Sequence, residues 1–325
     1  MLLIITNTND PTVDFVEEKL RERKADYFRL NTDVVLSQTT HVFKISNTSL
    51  DKDNCRIRMG DIEVKIQDIS SVWYRRPVDP IPSSKLQTEI SKKFAQDETS
   101  YYLRCLWKQL ENCRWVNHPK ATTWANTKLH QLTLARELGF TIPKSLATND
   151  PVEAKKFFTE CNGQMVVKPF KVNALQYSDN PEEVVGILTN KITETDLDSI
   201  DTVQYSITFL QEEIVKQDEI RVTVFGDDVF SASISSQLDP NLVTDWRRTT
   251  PNPKVWKRFD LPSDIKEQCK QLVKRLDLRF GAIDLARVSN DKFVFFEINP
   301  NGQWAWLEIE TGMPMSDSLL NILLP

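Results

Sequence analysis

At 325 residues the chain is too long for one compact core, so two or three packed units are expected. Its 40% hydrophobic and 27% charged residues are those of an ordinary globular protein, and a net charge of -5 gives no electrostatic reason for broad nucleic-acid binding. No stretch approaches the roughly 20 apolar residues of a membrane helix, and the opening MLLIITNTND is too short and lacks the basic flank of a signal peptide. The 5 cysteines are scattered without a CxxC pair and the 3 histidines have no partner at metal spacing. Together these features point to free thiols in the cytoplasm and argue against structural zinc, nucleic acid or membrane as partners. Among 8 glycines there is neither a GxxxxGK[ST] loop nor a GxGxxG turn, which excludes a P-loop or a dinucleotide-type site.

Residues 1–117 read as a small α/β unit. Leu2–Thr6 is a short buried strand, and helical periodicity runs over Val13–Arg23 after the Asp10-Pro11 start signal. His41–Ser46, Cys55–Met59 and Ile62–Ile66 alternate as an antiparallel meander. SSVWYRRP (Ser70–Pro77) looks like a strand leaving the sheet, and a long amphipathic helix, Leu86–Leu110, follows the prolines. NHPK (Asn117–Lys120) marks a boundary. A second unit, 118–204, starts with one helix over Thr123–Leu138, ended by Gly139. It continues with a strand near Ser145, a helix capped by Asp150-Pro151 and the strand QMVVKPF (Gln164–Phe170). It closes with an acidic segment, Pro181–Gln204, holding a helix at Thr193–Ile200 with Thr193 as N-cap. In the last unit, 205–325, Tyr205–Glu212, Glu219–Phe225 and Val229–Ser235 read as an antiparallel set. A loop rich in Pro, Arg and Trp, a helix over Pro262–Leu276 and the strands Gly281–Val288 and Lys292–Ile298 complete it.

The chemistry concentrates at the end. GAIDLARV carries Asp284 amid small and apolar residues, and FVFFEINP carries Glu297 and Asn299, which share a face because they lie two apart on a strand. Its phenylalanines are expected to anchor that strand in the core. An antiparallel partner strand brings Asp284 alongside, and three hard oxygen donors suit Mg²⁺ with water and phosphate as its other ligands. The competing reading is a set of edge-strand charges facing solvent. Lys168, at the end of the buried strand MVVKP, needs an anion. In FLQEEIVKQDEIRVTVFG the connection can offer backbone groups to an adenine edge, with Glu219 or Asp218 for ribose hydroxyls and Arg221 pointing toward phosphate.

With Lys128 on its helix, the series VVKP, QEEI…DEIRV, GAIDLA and FEINPNG resembles the ATP-grasp superfamily. SVWYRRP, TKLHQLTLARELGFTIPKSLATNDP, ISSQ, DWR and EINPNGQWAWLE bring the likeness closer to the ligases that make microviridins and other graspetides, and it spans essentially the whole chain. The resemblance implies an ATP-grasp fold of α+β / α/β class: a pre-ATP-grasp N-terminal domain, a central domain and a C-terminal antiparallel-sheet lobe. It implies that Lys128 and Lys168 hold ATP phosphates, that Glu212, Glu213 and Ile214 form the adenine hinge, and that Glu219 contacts ribose. Asp284, Glu297 and Asn299 would bind Mg²⁺, and Arg221 and Arg247 would steady the transferred phosphoryl group. Hinge and ribose assignments are open by a residue or two, because QEEIVKQDEIR offers several acids.

The activity implied is ADP-forming ligation. A side-chain carboxylate of a precursor peptide takes the γ-phosphoryl group, and a Ser or Thr hydroxyl (ester) or a Lys amine (amide) of the same peptide displaces it. The basic loop at 245–258, with Arg248, and Arg75 and Arg76 of WYRRP would attract an acidic core peptide. The segment TETDLDSI matches the family's leader-docking region, making Asp196 a candidate leader contact, and the family suggests a homodimer. Two rivals remain: a ligase adding a free amino acid to a peptide or protein carboxylate, and an ATP-binding protein without ligase activity.

Overall fold

A computed structural model describes residues 1–47, 55–170, 174–176, 184–186, 188–248, 251, 253–289 and 292–324. Parts of two segments read above, 181–204 and 245–258, lie outside the described residues at 181–183, 187, 249–250 and 252.

The N-terminal part runs β1 (Leu2–Thr6), α1 (Pro11–Glu22), β2 (Tyr27–Asn31), α2 (Val35–Gln38), β3 (Thr40–Val42), β4 (Arg56–Met59), β5 (Ile62–Lys65), β6 (Ser71–Tyr74), α3 (Glu89–Gln109) and β7 (Arg114–Val116). β3, β4 and β5 form the expected meander. β6 does not leave the sheet: it pairs in parallel with β1 and β7, in the order β2-β1-β6-β7. The short strands β2 and β7 are not legible in the sequence, because five and three residues carry too little periodicity. Period-2 alternation divides this sheet between two cores. Leu3, Ile5 and Val72 pack with Leu103, Leu106 and Trp107 of α3. Leu2, Ile4 and Trp73 face α1 and the chain's C-terminal helices.

The middle part contains α4 (Pro119–Ala125), α5 (Lys128–Glu137), β8 (Ser145–Thr148), α6 (Pro151–Glu160), β9 (Met165–Lys168), β10 (Ala174–Gln176), β11 (Val184–Gly186) and β12 (Asn190–Ile192), then a 3₁₀ segment, Glu194–Tyr205. The single helix expected over Thr123–Leu138 is two. Thr127 is extended and its hydroxyl donates to Trp124 O at 2.7 Å, so the chain turns and Lys128 opens a new helix. β13 (Thr208–Glu212) is the other correction. It pairs with β8 and β9 in the order β12-β9-β13-β8, not with the strands that follow it.

Those strands are β14 (Asp218–Phe225), β15 (Asp228–Ile234) and β16 (Lys257–Arg258). After α7 (Ser263–Arg275) come β17 (Phe280–Ser289) and β18 (Lys292–Asn299), which complete an antiparallel sheet ordered β16-β15-β14-β17-β18. One face of it packs on α5 and α7 through Ile220, Val222, Leu272, Ile283 and Phe295. Two helices absent from the sequence reading, α8 (Ala305–Thr311) and α9 (Met315–Leu323), carry Leu307, Leu319, Leu320 and Leu323 into the core shared with α1 and β1. Among the described residues no helix is long and apolar enough to cross a membrane.

Candidate active site

Between the middle sheet and the C-terminal sheet lies a cleft. Lys128, Lys168, Glu212, Glu213, Ile214, Glu219, Arg247, Asp284 and Glu297, scattered over 170 residues of sequence, all line it. Each is placed by an element end or a strand face. Lys128 is the first residue of α5, Lys168 ends β9, and Glu212–Ile214 begin the link from β13 to β14. Asp284 and Glu297 are direct partners in the β17–β18 register.

A register shift follows that pair: Leu285 stands opposite Phe295, so Phe296 has no partner on β17. The bulge turns Phe296 into the cleft, whereas Phe295 is fully buried in the core. The expectation that both phenylalanines anchor the strand therefore fails for Phe296. Its ring instead faces Lys168 Nζ at 4.6 Å and Lys216 Nζ at 5.7 Å from the centroid.

Charges alternate along the cleft. Glu297 lies 2.5 Å from Lys128 Nζ and 3.7 Å from an Arg247 nitrogen. Burial alone would raise its carboxyl, but the Lys128 and Arg247 cations outweigh that and hold it down at about 2. Asp284 shows the opposite balance: burial raises it despite Arg221, whose Nη1 donates to Oδ1 at 2.8 Å. Arg247 is gripped by Asp245 through two bonds, Nε to Oδ1 at 2.9 Å and Nη2 to Oδ2 at 2.7 Å. Burial would lower the guanidinium, but the Asp245 contacts raise it. Burial draws the Lys168 ammonium down to about 8; the side chain donates to Gln211 Oε1 at 2.7 Å.

Period 2 on β14 separates the two candidate ribose acids. Glu219 is turned into the cleft beside Lys216 Nζ at 3.1 Å, and burial raises its carboxyl against the pull of Lys216. Asp218 accepts instead from Arg287 Nε at 3.0 Å and from Ser235 Oγ at 2.8 Å. At the start of the link from β13 to β14, Glu213 N–H is already engaged with Gln164 O at 2.9 Å.

Other candidates lie elsewhere. Asn299 ends β18 opposite Ala282; it is exposed and its Oδ1 accepts from Asn301 N at 2.9 Å. Arg248 donates to Thr189 O and Asn190 Oδ1 at 2.6 and 2.8 Å, tying its loop to β12. Arg76 is exposed, with Nε 3.4 Å from Asn301 O. Arg75 is only 1% exposed and donates to Gln303 Oε1 at 2.6 Å, so it offers no charge to an incoming peptide. Asp196 forms a capping box with Thr193, accepting from its N at 2.8 Å and its Oγ1 at 2.6 Å. Lys216, Asp245, Gln211 and Phe296 are members of the site that the sequence reading did not single out. For Asp245 a signal was present, because a DWR triplet puts acid and base at a spacing that permits a bidentate grip.

Asp284 and Glu297 are hard oxygen donors surrounded by cations, and among the described residues no third His, Cys, Asp or Glu joins them. That set fits Mg²⁺, which keeps several waters and takes phosphate oxygens. It does not suit zinc, which wants nitrogen or sulfur ligands and a closed shell.

Residues 1–123 match the family model of the MvdD pre-ATP grasp domain. No match is found among curated proteins. Over its whole length the chain is similar to the macrocyclase MdnC of Microcystis aeruginosa, solved bound with precursor peptide MdnA, at 28% identity and a TM-score of 0.87, covering 99% of each chain. A RiPP-associated ATP-grasp ligase of Chryseobacterium gregarium, in complex with ADP and a leader and core peptide, is 27% identical with a TM-score of 0.83, covering 99% of this chain and 96% of that one. Macrocyclase MdnB of the same Microcystis is 27% identical with a TM-score of 0.79, covering 99% and 98%.

Proposed function

We propose, for a chain that joins an MvdD pre-ATP-grasp domain to an ATP-grasp ligase fold, that it is a peptide macrocyclase closing rings within a ribosomally made precursor. The observation that carries this reading is the cross-strand pair Asp284–Glu297, ringed by Lys128, Arg221 and Arg247, in a chain whose likeness to a precursor-bound macrocyclase runs end to end.

In this reading Lys128 and Lys168 bind the ATP phosphates, the link at Glu212–Ile214 receives the base, and Glu219 contacts ribose. Asp284 and Glu297 would hold Mg²⁺, and Asn299, farther along the same strand face, would join them by exchanging its contact with Asn301 N for the ion; bound there, the ion supplies charge neutralisation at the phosphates. A core-peptide Asp or Glu carboxylate attacks the γ-phosphorus, ADP leaves and an acyl phosphate remains. A Ser or Thr hydroxyl then attacks the acyl carbon, loses its proton and expels phosphate; a Lys amine in its place gives an amide. Arg221 and Arg247 offset charge on the phosphoryl oxygens, each pre-set by a carboxylate partner so that little reorganisation is needed. Holding both reacting groups on one tethered peptide supplies the rest of the rate. We also assign a homodimer to the chain, with Ile90, Phe94 and Tyr101 of α3 as an exposed apolar strip for a second copy.

The test is incubation with a short Thr- and Glu-rich peptide encoded beside the gene, with ATP and Mg²⁺. Each ring lowers the peptide mass by one water, and ester rings, unlike amides, reopen in mild base. An unchanged peptide together with ATP turnover on a free amino acid would favour the amino-acid-adding ligase instead. Asp284→Ala and Glu297→Ala are each expected to abolish ring formation while near-ultraviolet circular dichroism stays that of the parent. Light scattering decides the dimer.

A further inference from the structure

The turn after β18, Pro300–Gln303, is gripped from behind by the N-terminal domain. Asn117, buried just beyond β7, donates to Phe280 O at 2.8 Å and Pro300 O at 2.9 Å. It also accepts from Arg279 N and Phe280 N, so its amide is fully bonded. Arg75, just beyond β6, donates to Asn301 O and Gln303 Oε1, and Thr12 of α1 donates to the same Gln303 oxygen. In an open parallel sheet the crevice beyond the carboxyl ends of the strands, where the strand order reverses, ordinarily receives a ligand. Here that reversal falls between β1 and β6, and the crevice holds a turn of the C-terminal lobe.

On its other side the same turn meets the cleft. Arg221 Nη2 donates to Gln303 O at 3.3 Å while Nη1 holds Asp284. The fit is close: a Cβ on Gly302 would stand 2.7 Å from Arg221 Nη2 and 2.5 Å from Ala282 Cβ. A rigid path therefore leads from Arg75 through Gln303 to Arg221 and Asp284.

We infer that Arg75 is a positioning residue for the metal-binding carboxylates, fixing through Gln303 the wall against which Arg221 orients Asp284. The inference rests on the assignment of Asp284 and Glu297 to Mg²⁺ proposed above. A planar fork reaching two acceptors is needed, which an ammonium does not reproduce. Asp10, 3.9 Å away, is the nearby counter-charge for this buried guanidinium.

Calorimetric titration of ADP into the full-length chain, with and without Mg²⁺, tests the assignment independently of any peptide. Arg75→Lys and the less buried Gln303→Leu should leave Mg²⁺-free ADP affinity at the parent value. Each should cut the gain that Mg²⁺ confers by about tenfold, the scale on which outer-shell partners act. The double variant should lose no more than either single one, since both break one path. A full Mg²⁺-dependent gain in both variants overturns the inference, as does an equal loss of affinity with and without the ion. Asp284→Asn is the reference: if it keeps the gain, the metal assignment fails and Arg75 loses its role. A parent enzyme that closes no rings counts against the macrocyclase reading and not against this one.

Discussion

Lys168 sits between Gln211 Oε1 and the face of Phe296, with no carboxylate in direct contact among the described residues. Its folded value near 8 lies below the usual 10.5, so folding releases protons from it. The associated stability penalty is full below about pH 8 and is relieved as pH rises toward 10.5. For the proposed phosphate contact the sign reverses, because only the ammonium pairs with phosphate. kcat/KM for ATP, which reports the free enzyme, is expected to fall as pH rises through about 8. Lys168→Arg should remove that limb, and a profile flat through alkaline pH in the parent would discard the phosphate role. Glu297 behaves oppositely. Its value is depressed from 4.5 to about 2, so the stability it contributes is present above 4.5 and lost as pH falls toward 2. At this scale the sequence was informative about identity: a Lys ending an apolar strand, and acids on apolar strands, marked themselves. It was silent on Lys216 and Phe296, because a bulge and a link have no periodicity to read.

Elements carry these side chains to the cleft by their ends. Gln131 of α5 donates to Ala125 O at 2.6 Å and Ile298 O at 2.8 Å and accepts from Ile298 N, locking the helix that begins with Lys128 onto β18. Gln131→Leu should cost about 2 kcal/mol in urea unfolding, since it leaves buried backbone groups unpaired. Gly302→Ala should cost about 1–3 kcal/mol through overpacking against Ala282. It should also lower ring formation more than stability alone explains, because it displaces Arg221. In the 3₁₀ segment, the Asp196 carboxylate serves its own cap, so a leader role must be separated from capping. Thr193→Ala weakens the cap and keeps the acid, whereas Asp196→Asn removes the charge. Weaker precursor binding in the second and not the first, measured by fluorescence anisotropy, would support a leader contact. Equal affinities would place the leader elsewhere. The helical starts at Asp10-Pro11, Asp150-Pro151 and Thr193 were legible because capping is local chemistry. The break at Thr127 was not, because the fit of Gln131 to β18 is long-range.

Across the molecule, the N-terminal sheet and the last two helices share one core, in which Leu2, Val16 and Trp73 meet Trp304, Leu307 and Leu319. The pre-ATP-grasp domain is thereby docked on the catalytic lobe rather than tethered to it. On the proposed function, the net charge of -5 opposes an acidic core peptide at long range, so its capture would depend on cations lining the cleft, such as Arg247. Where pairing with these cations outweighs the long-range repulsion, kcat/KM for an acidic core falls as salt shortens the Debye length from about 10 Å at 0.1 M; a rise with salt would show that repulsion limits capture. A salt-independent value would place recognition in apolar contacts. Which chemistry is available, and in what order its carriers come, could be read from local pattern alone: alternation, caps and isolated charges on apolar strands are properties of a few consecutive residues. The remainder came from packing between distant segments. It moved β13 into the middle sheet and Arg75 from a peptide contact to a buried brace, and it chose Glu219 over Asp218 for the cleft. Pairing partners, register shifts and the direction of a long side chain depend on residues far away in the chain, and no local pattern records them.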